Sequence, residues 1–83
     1  MQEMSDRQPI KRTYDLIKLK EVLRITCLSR SHLYALIQKN KFPAPVKLSE
    51  RSSAWLKHEV EFWIAKRIEA RDMKINRLAA SKH

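Results

Sequence analysis

Residues Leu19 to Trp55 read LKEVLRITCLSRSHLYALIQKNKFPAPVKLSERSSAW, and the order of apolar spacing, turn and proline in this stretch decides the fold. Leu19, Val22, Leu23 and Thr26 fall at i, i+3, i+4 and i+7, so Lys20 to Thr26 reads as a first helix of about two turns. A helix this short does not stand alone and has to bury its apolar face against other elements. Cys27-Leu28-Ser29 then breaks the period. Leu28 is an apolar plug, and Ser29 is placed as an N-cap whose hydroxyl accepts from a backbone N–H one turn on. Over Arg30 to Lys39, Leu33, Leu36 and Ile37 repeat the helical face, and Asn40 is a fair left-handed terminator where glycine is missing.

At about 100° per residue, the side of the second helix facing away from those three leucine and isoleucine positions is centred on Ser31, Ala35 and Gln38. His32, Tyr34 and Lys39 flank it. No acidic residue occurs from Val22 to Ser49, while Arg24, Arg30, Lys39, Lys41 and Lys47 all lie there. An outward face rich in hydrogen-bonding groups and free of acid is what a helix lying in a major groove needs. On an arbitrary helix the same residues would be a solvated face. Ala35 offers only a methyl, suited to a thymine, and Tyr34 divides between a phosphate contact through its hydroxyl and half-buried packing. Arg30 sits in the first turn, where the helix already carries partial positive charge. A phosphate there would be favoured by the charge and by the free N–H groups.

Lys41-Phe42-Pro43-Ala44-Pro45 cannot be helix interior, because each proline removes a donor and pushes its predecessor to extended backbone. Phe42 is expected to pack under the second helix. Val46-Lys47-Leu48 and Ser53-Ala54-Trp55 read as two short strands joined by Ser49-Glu50-Arg51-Ser52, a hairpin with Arg51 at its tip. From Leu56 there is no proline to the end. Val60, Trp63, Ile64 and Ile68 make an apolar stripe for a third helix that closes the core, with Trp63 against the first two helices and Trp55 beside it.

Outside this frame, residues 1–13 are polar, mixed in charge and interrupted by Pro9, which suits a mobile arm. Tyr14 to Lys18 is apolar enough to pack as an extended entry along one edge of the domain. The expected layout is an arm over 1–13, a DNA-binding domain over 14–70 and a helical extension or tail over 71–83. The C-terminal segment from Arg67 to His83 has three readings: a solvated extension, a partner-binding helix, or a basic tail on DNA. Its weak stripe of Ile68, Ile75 and Leu78 makes self-association one of the expectations.

Composition narrows the function. The chain has 83 residues, 18 of them Lys or Arg and 9 Asp or Glu, for a net charge of +9, and a sequence pI near 10.1, which points to a polyanionic partner. Residues 22–56 alone hold six basic side chains and one acidic one. A chain this short folds around a packed unit of about 60 residues and has little room for an enclosed active site. No Ser/His/Asp, Cys/His or paired-carboxylate pattern appears. With His32 and His58 far apart and Cys27 the single cysteine, there is no metal-ligand spacing either. No enzyme activity, metal or cofactor is therefore expected. One cysteine and no long apolar run fit a soluble intracellular protein with no membrane partner. Glycine is absent, where about six would be usual, so every turn has to use other residues.

Taken together, L-K-E-V-x-x-I-T-x-L-S-R-S-x-L-Y-x-L-I, then F-P-x-P-V-K-L, then R-x-x-A-W and E-V-E-x-W-I, resemble the AlpA-type regulators of prophages and genomic islands. These are small relatives of phage excisionases and of the DNA-binding head of MerR proteins. The likeness runs in register from about Leu16 to Lys66 in several separate blocks. It implies a mainly α fold with a small β-hairpin, a winged helix-turn-helix whose second helix enters the major groove while the wing reaches the minor groove. By position, the groove-facing residues would be those from Arg30 to Gln38 on the second helix and the wing residue Arg51. Joined to the face and charge read above, the expected DNA-binding set is Arg30, Ser31, His32, Tyr34, Ala35, Gln38, Lys39, Lys47 and Arg51. Double-stranded DNA at promoter or attachment-site repeats is the implied partner, with an integrase and further copies of the chain on DNA as additional ones. The implied roles are activation of an integrase gene or direct service as an excisionase, a recombination directionality factor. The rival classes are a protein-binding adaptor with a basic surface and a non-specific nucleic-acid binder. Two positions depart from the family pattern: Cys27 stands where the turn usually has glycine, and the wing tip is Ser49-Glu50-Arg51-Ser52. A left-handed Cys27 would cost roughly 1 kcal/mol.

Overall fold

A computed structural model describes residues 14–81; the expected arm over residues 1–13 lies outside them. In chain order the elements are β1 (Leu16–Ile17), α1 (Leu19–Thr26), α2 (Arg30–Gln38), β2 (Val46–Ser49), β3 (Ser52–Leu56) and α3 (Lys57–Ser81). This is a winged helix-turn-helix, mainly helical, with a small antiparallel sheet.

Each turn is closed without glycine. At the end of α1, Cys27 takes φ 63°, and its N–H donates to the Leu23 carbonyl. The Thr26 hydroxyl donates to the Val22 carbonyl at 2.7 Å and accepts from the Leu28 N–H at 3.3 Å. The Ser29 hydroxyl accepts from the His32 N–H at 3.1 Å, so the cap expected of Ser29 is made. At the far end of α2, Asn40 takes φ 59°. Its N–H donates to the Ile37 carbonyl at 3.0 Å, and the Lys41 N–H donates to the Leu36 carbonyl at 2.8 Å. That pair of bonds is a Schellman ending, the left-handed stop expected of Asn40.

The arm from Lys41 to Pro45 has no sheet partner, and its carbonyls are taken up by tryptophan. The Trp63 indole N–H donates to the Lys41 carbonyl at 2.8 Å, and that of Trp55 donates to the Pro43 carbonyl at 3.1 Å. Between them Phe42 is buried, its ring edge-on to Trp63 at 4.9 Å between centroids. Five buried residues form the core: Val22 from α1, Leu33 from α2, Phe42 from the arm, Trp55 from β3 and Val60 from α3. Each side chain so buried contributes about 2 kcal/mol through lost apolar surface, and every major element except β2 supplies one.

The sheet has the order β1-β3-β2. The extended entry pairs along β3, Leu16 opposite Leu56 and Ile17 opposite Trp55, and the Lys57 N–H donates to the Asp15 carbonyl at 2.8 Å. Leu56 thus belongs to β3, where the helix was expected to begin. In the wing, Val46 faces Ala54 and Lys47 faces Ser53, but Ser49 faces Ser52, so the register slips at Leu48. Among the described residues only Cys27 and Asn40 have positive φ. The Glu50-Arg51 turn therefore lacks the left-handed residues that match a tight hairpin to strand twist, and the bulge at Leu48 takes up the mismatch.

One expectation about packing fails. Ile68 was read as part of the stripe that closes the core, yet it is 46% exposed. Val60 is fully covered, Trp63 and Ile64 are half-buried, and from Ala65 to Arg77 every residue is exposed. The sheet and the first two helices are too small to cover more than the first two turns of α3. At 1.5 Å per residue its 25 residues run for about 37 Å, and the greater part projects from the domain.

Candidate nucleic-acid interface

Burial of Leu33 orients α2. With Leu36 and Ile37 half-buried beside it, the helix has one way to lie, and Arg30, Ser31, His32, Tyr34, Ala35, Gln38 and Lys39 are all exposed. Ser31, Ala35 and Gln38 form the middle of that outward surface, opposite Leu33 by helical angle. Tyr34 is 40% exposed, so its ring is part packing and part surface. His32 is displaced to one flank, where it borders a groove between the helix-turn-helix and α3. α2 is nine residues long, about 13 Å, against a major groove about 12 Å wide that admits one helix.

The electrostatics of α2 are one-sided. Its first turn holds no acid, and no carboxylate lies in ion-pair reach of Arg30, Lys39, Lys47 or Arg51 among the described residues. Arg24 differs. Its guanidinium donates to both carboxylate oxygens of Glu21, at 2.9 Å and 2.6 Å. That hydrogen bonding holds the Glu21 carboxyl below its ordinary range and raises the arginine. Arg24 counts toward the basic excess in sequence but is neutralised within its own helix.

On the wing, Lys47 and Arg51 are exposed, and the Lys47 ammonium donates to the Glu50 carbonyl at 3.4 Å. Glu50 places a carboxylate beside Arg51 at the tip. The sequence does not single out Lys18, whose ammonium donates to the Ser52 hydroxyl at 3.0 Å and so adds a cation near the tip of the wing, beside the Glu50-Arg51 turn. Finding it required the β1–β3 register, which two residues of strand do not announce. Arg67, expected only as one cation of the C-terminal segment, lies over the Trp63 ring at 5.7 Å. No group of His, Cys, Asp or Glu capable of holding a metal ion occurs among the described residues.

A family model described as Prophage CP4-57 regulatory protein (AlpA) matches residues 15–68. The chain belongs to the AlpA prophage regulatory family. The AlpA match begins at the strand that edges the sheet and ends at Ile68, where α3 leaves the core. Over 55 residues the chain is 44% identical to the uncharacterized protein ORF88 of Enterobacteria phage P4, covering 66% of this chain and 62% of that relative. It therefore spans less than two thirds of that relative's length. No solved structure matches. As an AlpA-family member it is a phage regulatory protein by class, and no helix among its described residues is long and apolar enough to cross a membrane.

Proposed function

We propose that this AlpA-family protein is a sequence-specific double-stranded DNA-binding regulator of a prophage or genomic island. It activates integrase transcription, serves as an excisionase, or does both. α2 lies in the major groove, where Ser31, Ala35 and Gln38 meet base edges and Arg30, His32, Tyr34 and Lys39 flank the phosphates. Lys47 and Arg51 carry the wing to the adjacent backbone. The protein has no catalytic role, and it works in the bacterial cytoplasm at the nucleoid.

The observation that carries this reading is the acid-free outward face of α2, held in one orientation by buried Leu33 and bearing cations without carboxylate partners among the described residues. Phosphate contacts position such a protein and base contacts give it specificity. One copy covers few base pairs, so adjacent copies on repeated sites are part of the proposal.

Mobility shifts on the element's own promoter and attachment DNA against scrambled duplex test it. Preference for the native sites, with affinity falling steeply as salt rises, is the expected result. Equal retardation of both duplexes at moderate salt would remove the claim of sequence specificity. Arg51→Ala should weaken all sites together and reduce the salt slope by about 1, and an unchanged slope would remove the wing from the contact surface.

A further inference from the structure

Beside the proposed DNA face, a groove of about 480 Å³ runs between the helix-turn-helix and α3. Its floor is apolar: Leu28 from the turn, Leu36 from α2, and Ile64 and Ile68 from α3. The first three are half-buried and Ile68 is exposed, so each keeps apolar surface in water. The rim is basic, with Lys41 and Arg67 and, beside them, Arg71, whose guanidinium is also held by Asp72 at 2.9 Å and 2.8 Å; the His32 imidazole completes it, and no Asp or Glu lines the groove. Ile75, exposed one step further along α3, continues the floor beyond the groove.

We infer that this groove docks an acidic amphipathic helix from another protein. Two chemistries compete for a basic groove, and the floor decides between them. A phosphate backbone would engage the rim cations but leave Leu28, Leu36 and Ile68 in contact with water and sugar. An amphipathic helix covers that floor with its apolar side chains and sets carboxylates against the rim, the groove-binding mode in which anchors recur at i, i+3, i+4 and i+7. A second copy of this chain is disfavoured by charge, because α3 would bring Arg67, Arg71 and Lys74 against the same cationic rim, and the whole chain carries +9. Neither Ser31 nor Gln38 lines the groove, and His32 is the one residue it shares with the proposed DNA face, so the inference goes beyond the DNA-binding proposal and does not depend on it. It gives the protein a means of holding a second protein while its outward α2 face is occupied.

The experiment uses the isotope-labelled full chain and three synthetic helical peptides of equal length. One carries leucines at i, i+4, i+7 and i+11 flanked by glutamates, one has lysines in place of the glutamates, and one has alanines in place of the leucines. Amide shifts at Leu28, Leu36, Ile64 and Ile68 with the first peptide are expected, with at least about tenfold weaker binding of the other two. Ile68→Ser, at an exposed position, should weaken the first peptide about fivefold or more while the unbound spectrum stays folded. Arg67→Glu should weaken it about tenfold. Equal binding of the acidic peptides with and without leucine, or no shift at the groove, would overturn the inference. So would perturbation of the Ile64 and Ile68 amides on α3 by duplex DNA alone, which would assign the rim to phosphate, or concentration-dependent shifts without peptide, which would assign the groove to a second copy.

Discussion

The two helices of the helix-turn-helix are nearly equal in length and each hangs on one fully buried residue, Val22 in α1 and Leu33 in α2. Their charges are arranged in opposite ways. α1 has Glu21 in its first turn and Arg24 in its last, each at the end of the helix that favours its sign, and the two are joined by paired hydrogen bonds. α2 has neither acid at its start nor base in its last turn, and its first residue is Arg30, a cation at the positive end. One helix satisfies its electrostatics internally and serves as support. The other leaves them open, which costs a little stability and leaves a surface that, on the proposed reading, a polyanion completes.

The largest effect comes from unseating the open helix altogether. Leu33→Ala should cost about 3 kcal/mol, a large share of the stability of so small a domain, and chemical denaturation should show a much lower midpoint. Arg30→Glu makes the start of α2 resemble that of α1, and the two readouts should then part. Thermal stability rises slightly, as an acid at a helix start predicts, while DNA affinity at moderate salt falls about tenfold or more. Loss of both together would mean that Arg30 is structural.

Smaller again is Ser29→Ala, which removes the cap that α2 uses in place of a charge and should lower stability by about 1 kcal/mol, measurable by urea titration. Last comes the acid limb. Because the Arg24 pairing lowers the Glu21 pKa from its ordinary value of 4.5, its contribution is present above that value and lost as pH falls through the lowered one. The pair is exposed, so the effect is small. In urea titrations, Glu21→Gln should lower stability slightly at neutrality, where the pair contributes, and the difference from the parent should vanish as pH falls well below 4.5.

Much of this was legible in the sequence because short-range chemistry specified it. Ser29 and Asn40 are turn residues with one natural job each, and the spacing of Val22, Leu33 and Val60 marked the core from periodicity alone. Proline at 43 and 45 fixed the arm. What escaped was set by tertiary geometry. Ile68 continues the stripe in phase, but nothing in phase reveals that the domain ends before reaching it. Lys18 joined the wing only through strand pairing, whereas the Glu21–Arg24 pair, three residues apart on the first helix, follows from local helical spacing. The slip at Leu48 follows from a two-residue turn without left-handed backbone, which the absence of glycine hinted at without locating.

The two indole bonds to the arm carry a mechanical consequence. Lys41 and Pro43 lie between the end of α2 and the start of β2, and their carbonyls are clasped by Trp63 and Trp55, one from α3 and one from β3. The tether between α2 and the wing is thereby pinned at two points. On the proposed reading, two grooves contacted by a rigid caliper must come to the protein's spacing rather than the reverse. Sites should then be ranked partly by how readily their duplex narrows or bends. Flexible pyrimidine–purine steps between the two contacts would improve binding even where no side chain touches them.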